Sequence, residues 1–350
     1  MERLAERSRP TASTSEPERK DADSRKPSPA LGRFPRAQHW FAAAAAALFV
    51  AGLFVRLTVA DRVIGTSTIY YATPWSILAA LAGIRAWHER RLRNDRAAFG
   101  WILTMILCGV TWVNCAWYSR AQRVTGETVR VVTWNMAHGN RGLAGIVHSL
   151  AELDPDIAIL IEADPKKTNV RAIFEREFPD RHVSMLGGGI VLVSRWPSGE
   201  SVPYHVGEMD VESRIRQIPV ETPYGEWIVF SVDLGSNPYY LRQASIRELS
   251  RLIERVGDKP VIVAGDFNTP LDSVHFQWLR DIGLTELFEA SGSGYLPTWP
   301  TPIPVLSLDQ IWVSRHLRPV RCVREWDARS DHAGVVGTVV APSLESLGHR

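Results

Sequence analysis

The stretch Val261–Pro270, VIVAGDFNTP, decides how the rest of the chain is read. Its apolar run from Val261 to Ala264 has no polar alternation, so it fits a strand buried on both faces rather than one with a wet side. That strand then delivers Asp266 and Asn268, with Gly265 to let the backbone turn closely and Pro270 to fix the following loop. Either polar residue alone is an ordinary turn former. Their meaning therefore rests on what else the chain brings to the same place.

From Val129 onward, short β-rich runs alternate with amphipathic helices. Strands are expected at Val129–Trp134, Ile157–Ile161, Ile190–Val193, Trp227–Val232, Val261–Ala264, Gln310–Val313 and Gly334–Val340. Helices are expected at Leu143–Leu153, where Leu143, Ile146, Val147 and Leu150 share a face, and at Arg242–Val256, where Ile246, Leu249, Leu252, Ile253 and Val256 do. The pattern predicts one α/β domain over residues 121–345, with helices packed on sheets.

Several of these strands meet a polar residue that chemistry can use. VRVVTWN ends at Asn135, DPDIAILIE at Glu162, and VIVAGDFN at Asp266 and Asn268. Asp309 opens the strand in LSLDQIWVS, and Asp331 and His332 stand just before the final strand in RSDHAGVVGTV. Singly, each serves as a turn residue, a helix-start acid or a surface imidazole. Together, carboxylates and amide carbonyls form the hard oxygen set that Mg²⁺ (or Mn²⁺) takes. A histidine beside an aspartate adds a base of fixed tautomer and orientation. The constellation predicts metal-assisted hydrolysis of a phosphoester.

The ordered pieces WN, DPDIAILIE, GGGIVLVSRWP, GDFNTP, LDQIWVS and SDH resemble the endonuclease/exonuclease/phosphatase superfamily, over about Val129 to Val340. Its members include apurinic-site endonucleases, pancreatic-type deoxyribonucleases, neutral sphingomyelinases and inositol-polyphosphate 5-phosphatases. The resemblance implies a four-layer α/β sandwich, two packed sheets with outer helices, and a divalent-metal site at one rim. It implies that Glu162 ligates the metal, with Asn135 beside it and Asp331 at the metal edge. Asp266 would position or deprotonate the attacking water, Asn268 would hold a phosphate oxygen, and His332 would contact the scissile phosphate with Asp309 on its imidazole. Whether Asp266 or His332 is the base, and whether one metal or two is held, stays open.

One position departs from the family. Where many members carry a histidine in a VHL-like stretch, this chain has FSVDLGSNP, with Asp233. A carboxylate at neutral pH only accepts hydrogen bonds. Asp233 is then an additional metal ligand, a sign of changed leaving-group chemistry, or a sign of lost activity. The last makes the chain a catalytically silent relative that binds a phosphorylated ligand or lipid head group.

Substrate contacts are expected from Arg214 and Arg216, which alternate along a strand and so share a face. Trp299, with Tyr295 in GYLPTWPTPIP, offers a stiff apolar rim, and Asn140, with Arg141, stands at a helix start where backbone donors favour anions. Solvated edge charge, a packed loop and a helix cap are the plainer uses of the same residues.

The N-terminal part has a different composition. Residues 1–38 are rich in Arg, Lys, Glu, Ser and Pro and predict a disordered cytoplasmic tail. Three apolar runs follow, Trp40–Ala60, Thr66–Trp87 and Ala97–Tyr118. Each is near the roughly 20 residues that cross a bilayer, and together they predict three transmembrane helices in a membrane domain over residues 39–120. Arg56 is expected to snorkel and Pro74 to be tolerated. The bias of Lys and Arg to the tail and to the loop Arg90–Arg96 places both in the cytoplasm, and hence the catalytic domain outside, at the cell membrane. Arg120, Arg123 and Arg130 pull the other way.

A net charge of +2 provides no global basic field for sequence-independent nucleic-acid binding. Three cysteines make no disulfide framework and have no zinc spacing. The expected partners are the bilayer and a phosphoester substrate (nucleic acid, phospholipid head group or small phosphate ester), and no protein partner is inferred.

Overall fold

The structure is a computed structural model that describes residues 33–165, 169–206 and 213–341. The tail expected to be disordered falls, up to residue 32, outside the described residues, whereas its end, from Arg33, already belongs to the first helix. Four helices open the chain: α1 Arg33–Leu57, α2 Thr66–Ala72, α3 Trp75–Arg91 and α4 Asp95–Ala116. The short β1 Trp117–Ser119 leads into β2 Thr128–Asn135, α5 Leu143–Glu152, β3 Ile157–Ile161 and α6 Val170–Glu177. Next come β4 His182–Gly187, β5 Ile190–Ser194, β6 Val202–His205, β7 Arg214–Thr222, β8 Gly225–Asp233, α7 Gln243–Val256 and β9 Val261–Asp266. The chain closes with α8 Gln277–Asp281, β10 Thr285–Glu286, α9 Leu287–Ser291, β11 Ser293–Tyr295, β12 Asp309–Val313, β13 Arg318–Glu325 and β14 Gly334–Val340.

The apolar N-terminal runs do not form three long apolar helices among the described residues. The middle one is cut in two, because Pro74 keeps Thr73 ahead of it out of the helical region (φ −125°, ψ 54°) and starts α3 afresh. Among the described residues, only Ala37–Leu57 and Asp95–Ala116 are helices long and apolar enough to cross a membrane, two rather than three. Helix α3 lies against both α1 and α4, and His39 and His88 meet at the end of the bundle far from the α/β domain. Nor does Arg56 snorkel. Its side chain is 4% exposed, and it gives Nε to the Thr73 carbonyl (2.7 Å), one terminal nitrogen to the Tyr70 carbonyl (2.9 Å) and the other to Asp272 (2.7 Å). A guanidinium satisfied on all sides gains nothing by reaching for water.

Two six-stranded mixed sheets make up the α/β domain, in the orders β10-β12-β9-β8-β7-β6 and β13-β14-β2-β3-β5-β4. The pairs β8/β9 and β2/β3 are parallel, and their partners on either side run antiparallel. Alternation along the second sheet sorts its residues between two cores. Val129, Val131, Ile157, Ile159, Ile190 and Leu192 face the other sheet, while Val132, Trp134, Ala158, Leu160, Val191 and Val193 pack under α5 and α6. On the first sheet, Ile246, Leu249 and Leu252 of α7 join the shared core. Each such aliphatic side chain removed from water contributes about 1.5 to 3 kcal/mol, so the strands read as apolar runs because they lie between layers.

Register gathers the polar ends. Asp309 stands opposite Asp266, Asp266 opposite Asp233, and Asp233 opposite Arg214, one row across β12, β9, β8 and β7. On the facing sheet Asn135 stands opposite Ile161, the residue before Glu162. Gly265 makes the first row possible: at φ 148° it lies so close to β8 that a Cβ would stand 1.9 Å from the Val232 carbonyl oxygen.

Candidate active site

Asp266, at the end of β9, is buried and held by three N–H donors. Its Oδ1 accepts the Asn268 backbone N–H (2.7 Å), and its Oδ2 accepts Asn135 Nδ2 (3.0 Å) and Asn268 Nδ2 (3.1 Å). The Asn135 bond joins the two sheets, since that residue ends β2 while its own Oδ1 accepts the Ala137 N–H at 2.9 Å. Asn268 takes left-handed φ of 46° and also donates to the Leu234 carbonyl at 2.8 Å. Burial first, and then the charge of Asp309, push the Asp266 carboxyl upward, opposed by His332 and by the bonds from Asn268 and Asn135.

Beside it, His332 Nδ1 lies 2.8 Å from Asp309 Oδ2, with both residues buried. Burial alone lowers an imidazole, but Asp309, its hydrogen bond, Asp266 and Asp331 outweigh it and raise His332 to about 10. Ser330 fixes the approach: its Oγ donates to the Asn135 carbonyl (2.7 Å) and accepts the His332 N–H (3.0 Å). Trp134 Nε1 donates to the His332 carbonyl at 3.0 Å. With Nδ1 engaged by Asp309, Nε2 is the nitrogen left to meet a ligand.

Glu162 follows β3 with φ of 55°, a strained value for a side chain with a Cβ. His138 bridges two acids, with Nε2 at 3.3 Å from Glu162 and Nδ1 at 2.7 Å from Asp164. The Asp164 bond first, then Glu162 and Asp233, raise its pKa against partial burial. The sequence reading had passed over this histidine. Its position three residues after Asn135, at the same strand end, is the signal that was available.

Asp233 is not exposed to a ligand in the manner of an open metal donor. It accepts Arg214 at 3.0 Å, and Arg214 also donates to the Gly188 carbonyl (3.2 Å). Burial, followed by Asp266, raises Asp233 to about 7, with Arg214 opposing. Neither Arg214 nor Arg216 lines the cleft, where substrate contacts had been expected from both; Arg214 is tied to Asp233 instead.

The cleft itself has a volume of about 640 Å³. Asn135, Glu162, Asp266, Asn268, Asp331 and His332 all line it, and so do the expected substrate contacts Asn140 and Trp299. Arg141, expected beside Asn140 at the helix start, lines the cleft too, as do His138 and three residues of α2, namely Thr68, Tyr71 and Ala72, which the sequence does not single out as contacts. The α2 residues could not be found from the α/β pattern, because they come from the helical part of the chain.

The donor chemistry fits a hard divalent cation. Acids crowd the rim, burial and mutual repulsion raise Asp233 and Asp266, and the buried Oδ1 of Asp309 has no hydrogen-bond partner among the described residues. The tightest cluster, with donor atoms within 4.8 Å of one another, is Asp266, Asp309 and His332. Asp309 and His332 already bind each other, which makes them an acid–imidazole pair. Glu162, Asn135 and Asp331 place further oxygen atoms on the cleft wall.

Two packed mixed sheets with a polar rim of this kind define an α/β fold whose strand ends converge on one cleft. Residues 132–332, more than half of the chain, match the Endonuclease/Exonuclease/phosphatase family, and the chain belongs to it. It is similar to the "Uncharacterized protein YbhP" of Escherichia coli (strain K12), with 33% identity over 109 residues, covering 30% of this chain and 43% of that relative. The aligned part thus spans less than half of the relative's length. In fold it is similar to an endonuclease/exonuclease/phosphatase family protein from Bacteroides thetaiotaomicron (TM-score 0.53, 16% identity, 62% of this chain and 98% of that one). It is similar to the same degree to a mannosyl-6-phosphatase from Bacteroides thetaiotaomicron VPI-5482 (TM-score 0.52, 17% identity, 61% and 99%).

Proposed function

We propose that the protein is a membrane-anchored, divalent-metal-dependent phosphoesterase whose catalytic domain stands outside the cytoplasm. The observation that carries the hydrolase reading is the convergence of Asn135, Glu162, Asp266, Asn268, Asp331 and His332 on one cleft, from strand ends of both sheets. Glu162, Asn135 and Asp331 would hold Mg²⁺ or Mn²⁺. Bound there, the cation neutralises charge on a phosphoryl oxygen and lowers the pKa of a nearby water. Asp266, fixed by its three N–H donors, orients that water and accepts its proton. His332, braced by Asp309, gives Nε2–H to a phosphoryl oxygen, and Asn268 borders the same space.

Anchoring is supported by the surface of the helices. Trp40, Phe41, Val50 and Phe54 of α1, with Phe99, Leu103, Leu107 and Val110 of α4, are exposed apolar residues forming a belt too large for an ordinary water-facing surface. The basic residues Arg90, Arg91, Arg93 and Arg96 gather at the end of the bundle away from the domain, as a cytoplasmic face requires.

The test is turnover of bis-p-nitrophenyl phosphate by the full chain in detergent. Mg²⁺-dependent hydrolysis that chelator abolishes, and that Asp266→Asn or His332→Ala lowers by about 10²-fold or more, is the expected result. Turnover unchanged in both variants excludes the mechanism.

A further inference from the structure

The catalytic cleft is not built by the α/β domain alone. Thr68, Tyr71 and Ala72 of α2 form part of its wall, although α2 belongs to the segment joining α1 to α3. That segment is bolted to the domain. Asp61, fully buried, accepts Ser273 Oγ (2.5 Å), the Val274 N–H (3.2 Å) and the Tyr71 hydroxyl (3.1 Å), and its carbonyl accepts His275 Nε2 (3.0 Å). Ser67 donates to the Pro238 carbonyl at 2.6 Å, and Tyr70 to the Asp272 carbonyl at 3.0 Å. A buried carboxylate with this many donors is expensive to expose, so α2 is a fixed wall and not a loop that comes and goes.

Its position matters as much as its rigidity. The segment lies where α1 ends and α3 begins, at the domain end of the helices. Aromatic rings mark the same level: Trp75 opens α3, and Trp117 at the end of α4 sits 4.4 Å from Tyr295 and 5.8 Å from Trp112. A second cavity of about 270 Å³ opens there between the helix ends and the domain, and it shares Leu306 with the catalytic cleft.

Charge argues in the same direction. Among the described cleft residues Arg141 is the one Lys or Arg, set against Glu162, Asp266 and Asp331. A polynucleotide is held by a basic track for its successive phosphates, and the described cleft residues form none. Its walls instead carry Tyr71, Pro238, Leu306 and Leu308, which suit a single phosphate attached to something apolar.

Resting on the hydrolase reading above, we infer that the segment Asp61–Ala72 is part of the catalytic cleft, and that through it the enzyme takes a phosphoester carried by a lipid at the bilayer surface. The phosphate meets His332, and the apolar side of the head-group region lies along Tyr71 and Leu306.

The experiment uses the full chain in detergent micelles with Mg²⁺ and three probes: mixed vesicles of phosphatidylcholine, phosphatidylglycerol and phosphatidylinositol phosphate, soluble bis-p-nitrophenyl phosphate, and single-stranded DNA. Thr68 is exposed, so Thr68→Trp narrows the cleft without disturbing a core, and Tyr71→Phe keeps the ring while releasing Asp61. Both variants are expected to raise KM for the vesicles about tenfold, the scale of one lost cleft contact, and to raise it several times more for the vesicles than for the soluble ester. Equal effects on vesicles and soluble ester, no effect on either, or preferential turnover of DNA overturns the inference while leaving the hydrolase standing. Absence of turnover of the soluble ester by the unaltered chain removes the hydrolase reading, and this inference with it.

Discussion

Asp309 is the residue on which the imidazole's state depends. His332 is raised from 6.5 to about 10, so its contribution to folding is complete below about 6.5 and is lost as pH rises through about 10. Asp309→Asn keeps the size of the side chain but removes the charge. Thermal unfolding in chelator should therefore show the unaltered protein losing stability across that window, and the variant losing much less. A variant with the same pH slope as the parent would show that the pair does not govern protonation. Gly265 permits a second residue-scale prediction. Gly265→Ala forces a Cβ into the Val232 carbonyl and must part β8 from β9, at a cost of about 3 kcal/mol or more, read in a denaturant titration; an unaltered midpoint would contradict the packing described. Sequence carried much at this scale. Asn135, Glu162, Asp266, Asn268 and His332 were legible because each stands at the border of an apolar run. The pairing of Asp233 with Arg214 was not, because it depends on which strands become neighbours.

At the scale of elements, the join between β2 and β14 is where the two halves of the site are set. Ser330 bonds to Asn135 at the end of one strand and to His332 before the other. Ser330→Ala should lower stability by about 1 kcal/mol and kcat by about tenfold with KM little changed, because it frees positions and not contacts. A rise in KM alone would place Ser330 in binding. Elements themselves were legible where an apolar run was wholly or largely buried: β3 and β14 match their expected bounds, and β9 extends past Ala264 by two residues, Gly265 and Asp266. Short strands with exposed residues, β4 and β6, gave no apolar run to find. The middle apolar run misled for a local reason. Hydropathy averages over Pro74, but the backbone cannot.

For the molecule as a whole, the helices and the α/β domain form one device, since Arg56, Asp61 and Ser67 of the first part are satisfied by the second. The basic far end, reached by α3 running back alongside α1 and α4, supports the orientation proposed here. A cysteine replacing Arg93 should react with an impermeant maleimide only after cells are opened, and one replacing Gln122 should react in intact cells; the reverse pattern would invert the topology. The wall that α2 gives the cleft lay beyond sequence reading, because no pattern in either part announces the other. The central claim, that scattered strand ends converge to hold a hard cation beside a phosphoester, is met most directly by anomalous scattering from crystals of the full chain grown with Mn²⁺. The account predicts an anomalous peak in the cleft, bound by Glu162 and lost in Glu162→Gln. A cleft without such a peak at saturating Mn²⁺, or one whose peak persists unchanged in that variant, would contradict it.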